Sequence, residues 1–138
     1  MSLTHVTPGA VLPRSVLLAD GSPGARARGA RVFREDRRFE LCACADTAAS
    51  AVALALEHRP DVAVLDEQMP GGGIAAAREI AARLPETRIV ILVDDLSDQE
   101  ALFAALHAGA SGYLQNRALR GRGKVELRVL DRGEGRVG

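Results

Sequence analysis

Short apolar runs alternate with stretches of helical period along most of the chain. Val16-Leu17-Leu18-Ala19 is apolar throughout and reads as a strand. Pro23 to Arg34 follows as a first helix, with proline near its start and Ala25, Val32 and Phe33 on its apolar side. Gly24 and Gly29 thin that helix where larger apolar residues would pack better. Phe39 to Cys44 reads as a second strand, and Asp46 or Thr47 can cap a helix running to about His58, where Pro60 stops it. Val52, Leu54, Ala55 and Leu56 spread over a wide face of that helix. Val62-Ala63-Val64-Leu65 is a third strand, apolar at every position as burial on both faces requires. Gly71-Gly72-Gly73 is a loop, and Ile74 to Leu84 is a helix with Ile74, Ala77, Ile80, Ala81 and Leu84 at helical spacing. Ile89 to Val93 is a fourth buried strand. Asp98 to Ala108 is a helix with Leu102, Ala105 and Leu106 inward and Gly109 as its stop. Gly112-Tyr113-Leu114 is a short fifth strand.

Buried strands alternating with helices define an α/β protein with a doubly wound, parallel five-stranded sheet. Residues 1–14, with Pro8 and Pro13, read as a flexible leader, residues 15–116 as the domain, and residues 117–138 as a basic, glycine-rich tail. That tail holds seven bases against three acids, five glycines, and a Val125, Leu127, Val129 alternation that suits a strand better than a helix.

The chain has 138 residues, enough for one domain with its own core. Its formal net charge is zero, which removes a global electrostatic case for nucleic acid or an anionic membrane. There is no Trp, one Tyr and three Phe, so neither a base-stacking platform nor nucleic acid as a partner of this chain alone is expected. No apolar run is long enough to span a bilayer, and the leader has no secretion signal. Cys42 and Cys44 read as two small buried strand residues, unsuited to a mutual disulfide and consistent with a reducing cytoplasm. His5, His58 and His107 read as exposed positions.

Three strand-like runs end in a carboxylate: Asp20, Asp66, and Asp94 with Asp95 beside it. In a doubly wound sheet the carboxyl ends of the strands line one edge, where ligands bind. Convergent acids there raise one another's pKa or collect a hard divalent cation. Each could equally be a helix cap or loop residue.

Asp61-Val62-Ala63-Val64-Leu65-Asp66 runs into Met69-Pro70-Gly71, and Gly109-Ala110-Ser111-Gly112-Tyr113-Leu114 follows later. These segments, together with Val16 to Asp20, resemble the receiver domains of bacterial response regulators over about residues 15–116. The last segment resembles the subfamily that usually carries a C-terminal helix-turn-helix. The resemblance implies a flavodoxin-like receiver fold, a signalling module rather than an enzyme, working in the cytoplasm. It implies Asp66 as the acceptor of a phosphoryl group from a histidine kinase or another signalling partner. It also implies Mg²⁺, held by Asp20, Asp66 and the backbone carbonyl of Gln68. A second copy of the chain is a further expected partner.

The family pattern is altered at three positions. The second acid after the first strand is Gly21, so Mg²⁺ is expected to bind weakly, with Asp94 as a candidate substitute ligand. The hydroxyl position is Asp94 and the lysine position is Asn116. A dianionic phosphoryl group beside Asp94, with no lysine to offset it, would be repelled by on the order of several kcal/mol. The family's fifth helix is not legible after Asn116, and its loss would expose one flank of the sheet. Three functions stay open: an inefficient phosphoryl acceptor, a pseudo-receiver acting as a phosphorylation-independent interaction module, and an unrelated small α/β enzyme. The last lacks a nucleotide loop, because no Lys-Ser/Thr follows Gly71-Gly72-Gly73.

Overall fold

The computed structural model describes residues 12–119. β1 (Arg14–Ala19), β2 (Phe39–Ala45), β3 (Val62–Asp66), β4 (Arg88–Val93) and β5 (Gly112–Gln115) form one sheet in the order β2-β1-β3-β4-β5. All neighbouring pairs are parallel. The connecting helices are α1 (Pro23–Glu35), α2 (Ala48–His58), α3 (Gly73–Arg83) and α4 (Gln99–His107). A 3-10 turn, Asn116–Leu119, follows β5.

Local chemistry fixes several element ends. Thr47, not Asp46, is the N-cap of α2: its hydroxyl accepts from Ser50 N, and the Ser50 hydroxyl accepts from Thr47 N in return. Asp98 caps α4 by accepting from Ala101 N at 3.1 Å. Gly109, at φ +100°, ends that helix as expected.

Strand alternation divides the core into two layers. Leu17, Ala63, Leu65, Ile89 and Ile91 pack with Ala51 and Ala55 of α2, Ala77 and Ile80 of α3, and Ala105 of α4. Val16, Leu18, Val62, Val64, Val90 and Leu92 pack with Ala30 and Phe33 of α1 and with Leu119. Central β1, β3 and β4 are thus buried on both faces, which is why their sequences carry no polar alternation.

Several side-chain expectations need correction. Leu106 points outward at 43% exposure, beside Phe103 at 62%, so α4 buries chiefly Ala105. Cys44 is exposed and Cys42 only half-buried, because β2 is an edge strand. Val16 pairs with Leu41 while Leu17 pairs with Ala43, so Cys42 is the extra residue of a β-bulge. Gly29 is not a packing defect: a Cβ there would stand 2.9 Å from Leu18 Cδ2, so α1 already sits as close to β1 as the chain allows. Gly24 is exposed and fills no core position. On the side of the sheet expected to be left bare, Val90, Leu92 and Leu114 are all buried. The expected leader ends short of residue 14, since Arg14 opens β1, and the expected tail starts too early, since Leu119 is buried in the core. Residues 1–11 and 120–138, with His5 and the missing fifth helix, lie outside the described residues.

Candidate functional site

The carboxyl ends of β1, β3 and β4 bring three acids to one edge of the sheet. Asp20 follows β1 and is buried at 4% exposure. Its Oδ1 accepts from Ser22 N at 2.9 Å, and its backbone carbonyl accepts from Arg26 Nη1 at 2.9 Å. Asp66 is the last residue of β3 and half-buried, with its Oδ1 accepting from Gln68 N at 3.3 Å. The Asp20 carboxylate lies within hydrogen-bonding reach of it. Burial first, and then the charge of Asp20, push the Asp66 carboxyl up to about 6; the Gln68 amide pulls the other way and Asp94 adds a small upward push.

Asp94 stands apart from this pair. It is exposed, its Oδ1 accepts from Asn116 Nδ2 at 2.5 Å, and its backbone carbonyl accepts from Gln115 Nε2 at 3.1 Å. Among the described residues, no three Asp, Glu, His or Cys side chains converge to hold an ion, so Asp94 does not complete a three-acid cluster with Asp20 and Asp66.

Two glycines shape the floor. A Cβ on Gly73 would come within 2.2 Å of the Asp66 carbonyl oxygen, so only glycine lets α3 start directly beneath the end of β3. A Cβ on Gly21 would come within 2.7 Å of Pro70 Cδ. The loop after β3 therefore occupies the space that a side chain at position 21 would need.

The model of the response regulator receiver domain matches residues 16–121. The chain belongs to that family. Its relatives include the oxygen regulatory protein NreC of Staphylococcus epidermidis, 37% identical over 101 residues, covering 72% of this chain and 46% of that protein. The DNA-binding transcriptional activator DevR/DosR of Mycobacterium tuberculosis is 42% identical over 80 residues, 57% of this chain and 36% of that one. Among solved structures, the signal receiver domain of the response regulator NarL from Mycobacterium tuberculosis superposes with a TM-score of 0.70 at 30% identity, covering 75% of this chain and 84% of that one. A LuxR-family two-component response regulator from Aurantimonas gives 0.69 at 34% identity, covering 75% and 74%. This receiver spans about half the length of the curated relatives it matches, 46% in the case of NreC. Among its described residues, no helix is long and apolar enough to cross a membrane.

Receivers imply Mg²⁺, and the residues present fit it in part. Two carboxylates held together at a cost in mutual repulsion are suitable hard oxygen donors, and Mg²⁺ needs only one or two with water completing its shell. Gln68 lies beside Asp66, so its carbonyl belongs to the same loop.

Sequence reasoning missed three charged neighbours. Arg26 and Arg28 of α1 reach the site: Arg26 bonds the Asp20 carbonyl, and Arg28 lines a pocket with Asp20, Ala25, Asn116 and Leu119. The lysine missing after β5 is thus not the whole charge at this edge, because two arginines of α1 stand beside Asp20. Their signal was available, because Pro23 starts the helix close behind Asp20 and keeps its next turn beside the strand end. Glu67, next to Asp66, is also held above the usual carboxylate range by burial and by Asp98 and Asp94. His58 and His107 lie in the last turns of α2 and α4, at the opposite edge of the sheet.

Proposed function

We propose that this receiver takes a phosphoryl group on Asp66 within a two-component phosphorelay, and that it does so inefficiently. The observation that carries this reading is the Asp20–Asp66 pair at the carboxyl ends of adjacent β1 and β3. An Asp66 oxygen attacks the donor's phosphorus. An O–P bond forms, the bond to the donor nitrogen or oxygen breaks, and the leaving group keeps the electron pair. Asp20, Asp66 and the Gln68 carbonyl would hold Mg²⁺, which when bound offsets charge on the phosphoryl oxygens. Gln68 N–H orients the nucleophile, and Asp20 keeps it basic enough to attack.

The inefficiency follows from what stands at the rim. Asp94 offers no hydroxyl to the phosphoryl group, and Asn116 is neutral and already donating to Asp94. Because Asp94 is exposed, water screens its repulsion well below the several kcal/mol expected for a dry site. The acceptor is therefore handicapped rather than blocked. We assign residues 15–116 as the working domain, a cytoplasmic histidine kinase as the donor, and a second copy of the chain as a candidate partner. That DevR/DosR is a DNA-binding transcriptional activator suggests that a longer regulator of this kind acts on transcription.

The test is intact mass after acetyl phosphate and Mg²⁺, with Asp66→Asn as the blank. Slow addition of one phosphoryl mass to the wild type alone is expected. No addition to folded wild type defeats the proposal and leaves the phosphorylation-independent module.

A further inference from the structure

A pocket beside Asp20 contains a cation. Its walls are Asp20 from the end of β1, Ala25 and Arg28 from α1, and Asn116 and Leu119 from the turn after β5. We infer that Arg28 supplies the positive charge that neutralises a phosphoryl group on Asp66, a role for which the residue after β5 is here a neutral amide. This rests on the reading of Asp66 as the acceptor.

Three observations support the assignment. Asn116 cannot serve: it carries no charge and its Nδ2 is committed to Asp94. Arg26 is committed as well, since its Nη1 lies against the Asp20 backbone carbonyl, where it braces the strand end. Arg28 is exposed, and among the described residues it has no carboxylate within ion-pairing distance, whereas Arg31 one turn on is paired with Glu35 at 3.1 Å. Its guanidinium also turns back toward the start of α1, with Nη1 3.4 Å from where a Cβ on Gly24 would sit. That folded-back course directs a long side chain toward the strand ends rather than out along the helix. Gly24 leaves the path open, so the glycine that looks like a helix defect has a use here. Arginine's forked donors suit a phosphoryl oxygen pair.

The step turns the singly charged Asp66 carboxylate into a dianionic acyl phosphate, so it adds about one negative charge where Asp20 and Asp66 already repel each other. A nearby guanidinium attracts the charged product and the dianionic donor more than the free carboxylate, so it favours the transfer as well as the product.

The experiment compares initial labelling rates with acetyl phosphate and Mg²⁺ in wild type, Arg28→Gln, Arg28→Lys, Asn116→Lys and Arg28→Gln/Asn116→Lys. Arg31→Gln is the surface-charge control, and near-ultraviolet circular dichroism checks the fold. Arg28→Gln should label about tenfold more slowly, a loss smaller than for a fully buried oxyanion donor. Arg28→Lys should keep most of the rate, Arg31→Gln all of it, and Asn116→Lys should restore the rate to the Arg28→Gln protein. Asn116→Lys should raise the rate by a larger factor in the Arg28→Gln protein than in wild type; an equal gain in both would mark Arg28 as structural and overturn the assignment. If wild type labels and Arg28→Gln labels at the same rate, the assignment is overturned and Asp66 remains the acceptor. If folded wild type takes no label, both fall.

Discussion

Asn116 donates its side-chain amide to the Asp94 carboxylate at 2.5 Å, tying the end of β5 to the end of β4. Gln115 adds a second tie, from its side chain to the Asp94 carbonyl at 3.1 Å. The two altered positions are thus partners, joined by a hydrogen bond between their side chains. Such a clasp makes no contact with Asp66 and so gives the loop after β4 no direct link to the charge there. A ligand shifts a conformational balance only through contacts that differ between the two states.

Replacing both members should therefore restore response. In Asp94→Thr/Asn116→Lys, a hydroxyl and an ammonium replace the carboxylate and amide. Labelling by acetyl phosphate should rise by about tenfold or more. Beryllofluoride should then shift amide resonances in the loop after β4, which it leaves nearly unmoved in wild type. Equal labelling rates in the two folded proteins would refute the role given to the clasp.

The Asp66 carboxyl, raised to about 6 by burial and Asp20, makes stability depend on pH in a defined direction. Its folded pKa exceeds its unfolded one, so the folded state takes up the proton first as pH falls. Stability from this group rises from about pH 7 down to about pH 4 and is constant below. The penalty at pH 8 is on the order of 2 kcal/mol after allowance for partial exposure. Asp66→Asn should be more stable than wild type by about that amount at pH 8 and equal to it near pH 4, as read from denaturant midpoints. Labelling of wild type should halve near pH 6, and added Mg²⁺ should move that midpoint lower.

Gly73 admits no side chain. The alanine Cβ would lie 2.2 Å from the Asp66 carbonyl oxygen and 2.8 Å from its carbon, and both are backbone atoms that cannot rotate away. Gly73→Ala should lose more than about 3 kcal/mol or fail to fold. Gly72→Ala is the contrast: φ is +89° there but the nearest atom is 4.0 Å away, so only about 1 to 2 kcal/mol of left-handed strain is expected. Thermal melts that rank the two variants the other way would contradict the packing described.

An acid cannot simply be put back at position 21. The Cβ would overlap Pro70 Cδ at 2.7 Å, so Gly21→Asp alone should cost about 1 to 3 kcal/mol and gain little affinity for Mg²⁺. Gly21→Asp/Pro70→Ala removes the obstruction and should bind Mg²⁺ more tightly by calorimetry. Tight binding by the single variant would show that the loop yields easily.

What could be read in advance follows the range of the forces involved. The strands from Val16, Val62 and Ile89 announce themselves because a sheet buried on both faces demands unbroken apolar runs. Asp20, Asp66 and Asp94 could be placed at one edge because topology alone puts strand ends there. The relations between those acids were not legible. Whether Asp94 meets a metal or an amide depends on side-chain rotation at Asn116. Whether Gly29 is a gap or a contact depends on how closely α1 approaches Leu18. Leu106 misled because helical spacing marks a face without saying how much sheet lies beneath it. Cys42 and Cys44 misled because no local pattern reveals that β2 lies at the margin.

That marginal strand has a bearing on how copies of the domain can meet. An open strand edge is a template on which another chain can add a strand, and growth of that kind ends in aggregation. Here the extra residue at Cys42 breaks the regular row of donors and acceptors, and Glu40 sets a charge on the exposed part of the same strand. The sheet is thereby discouraged from extending across molecules at this margin.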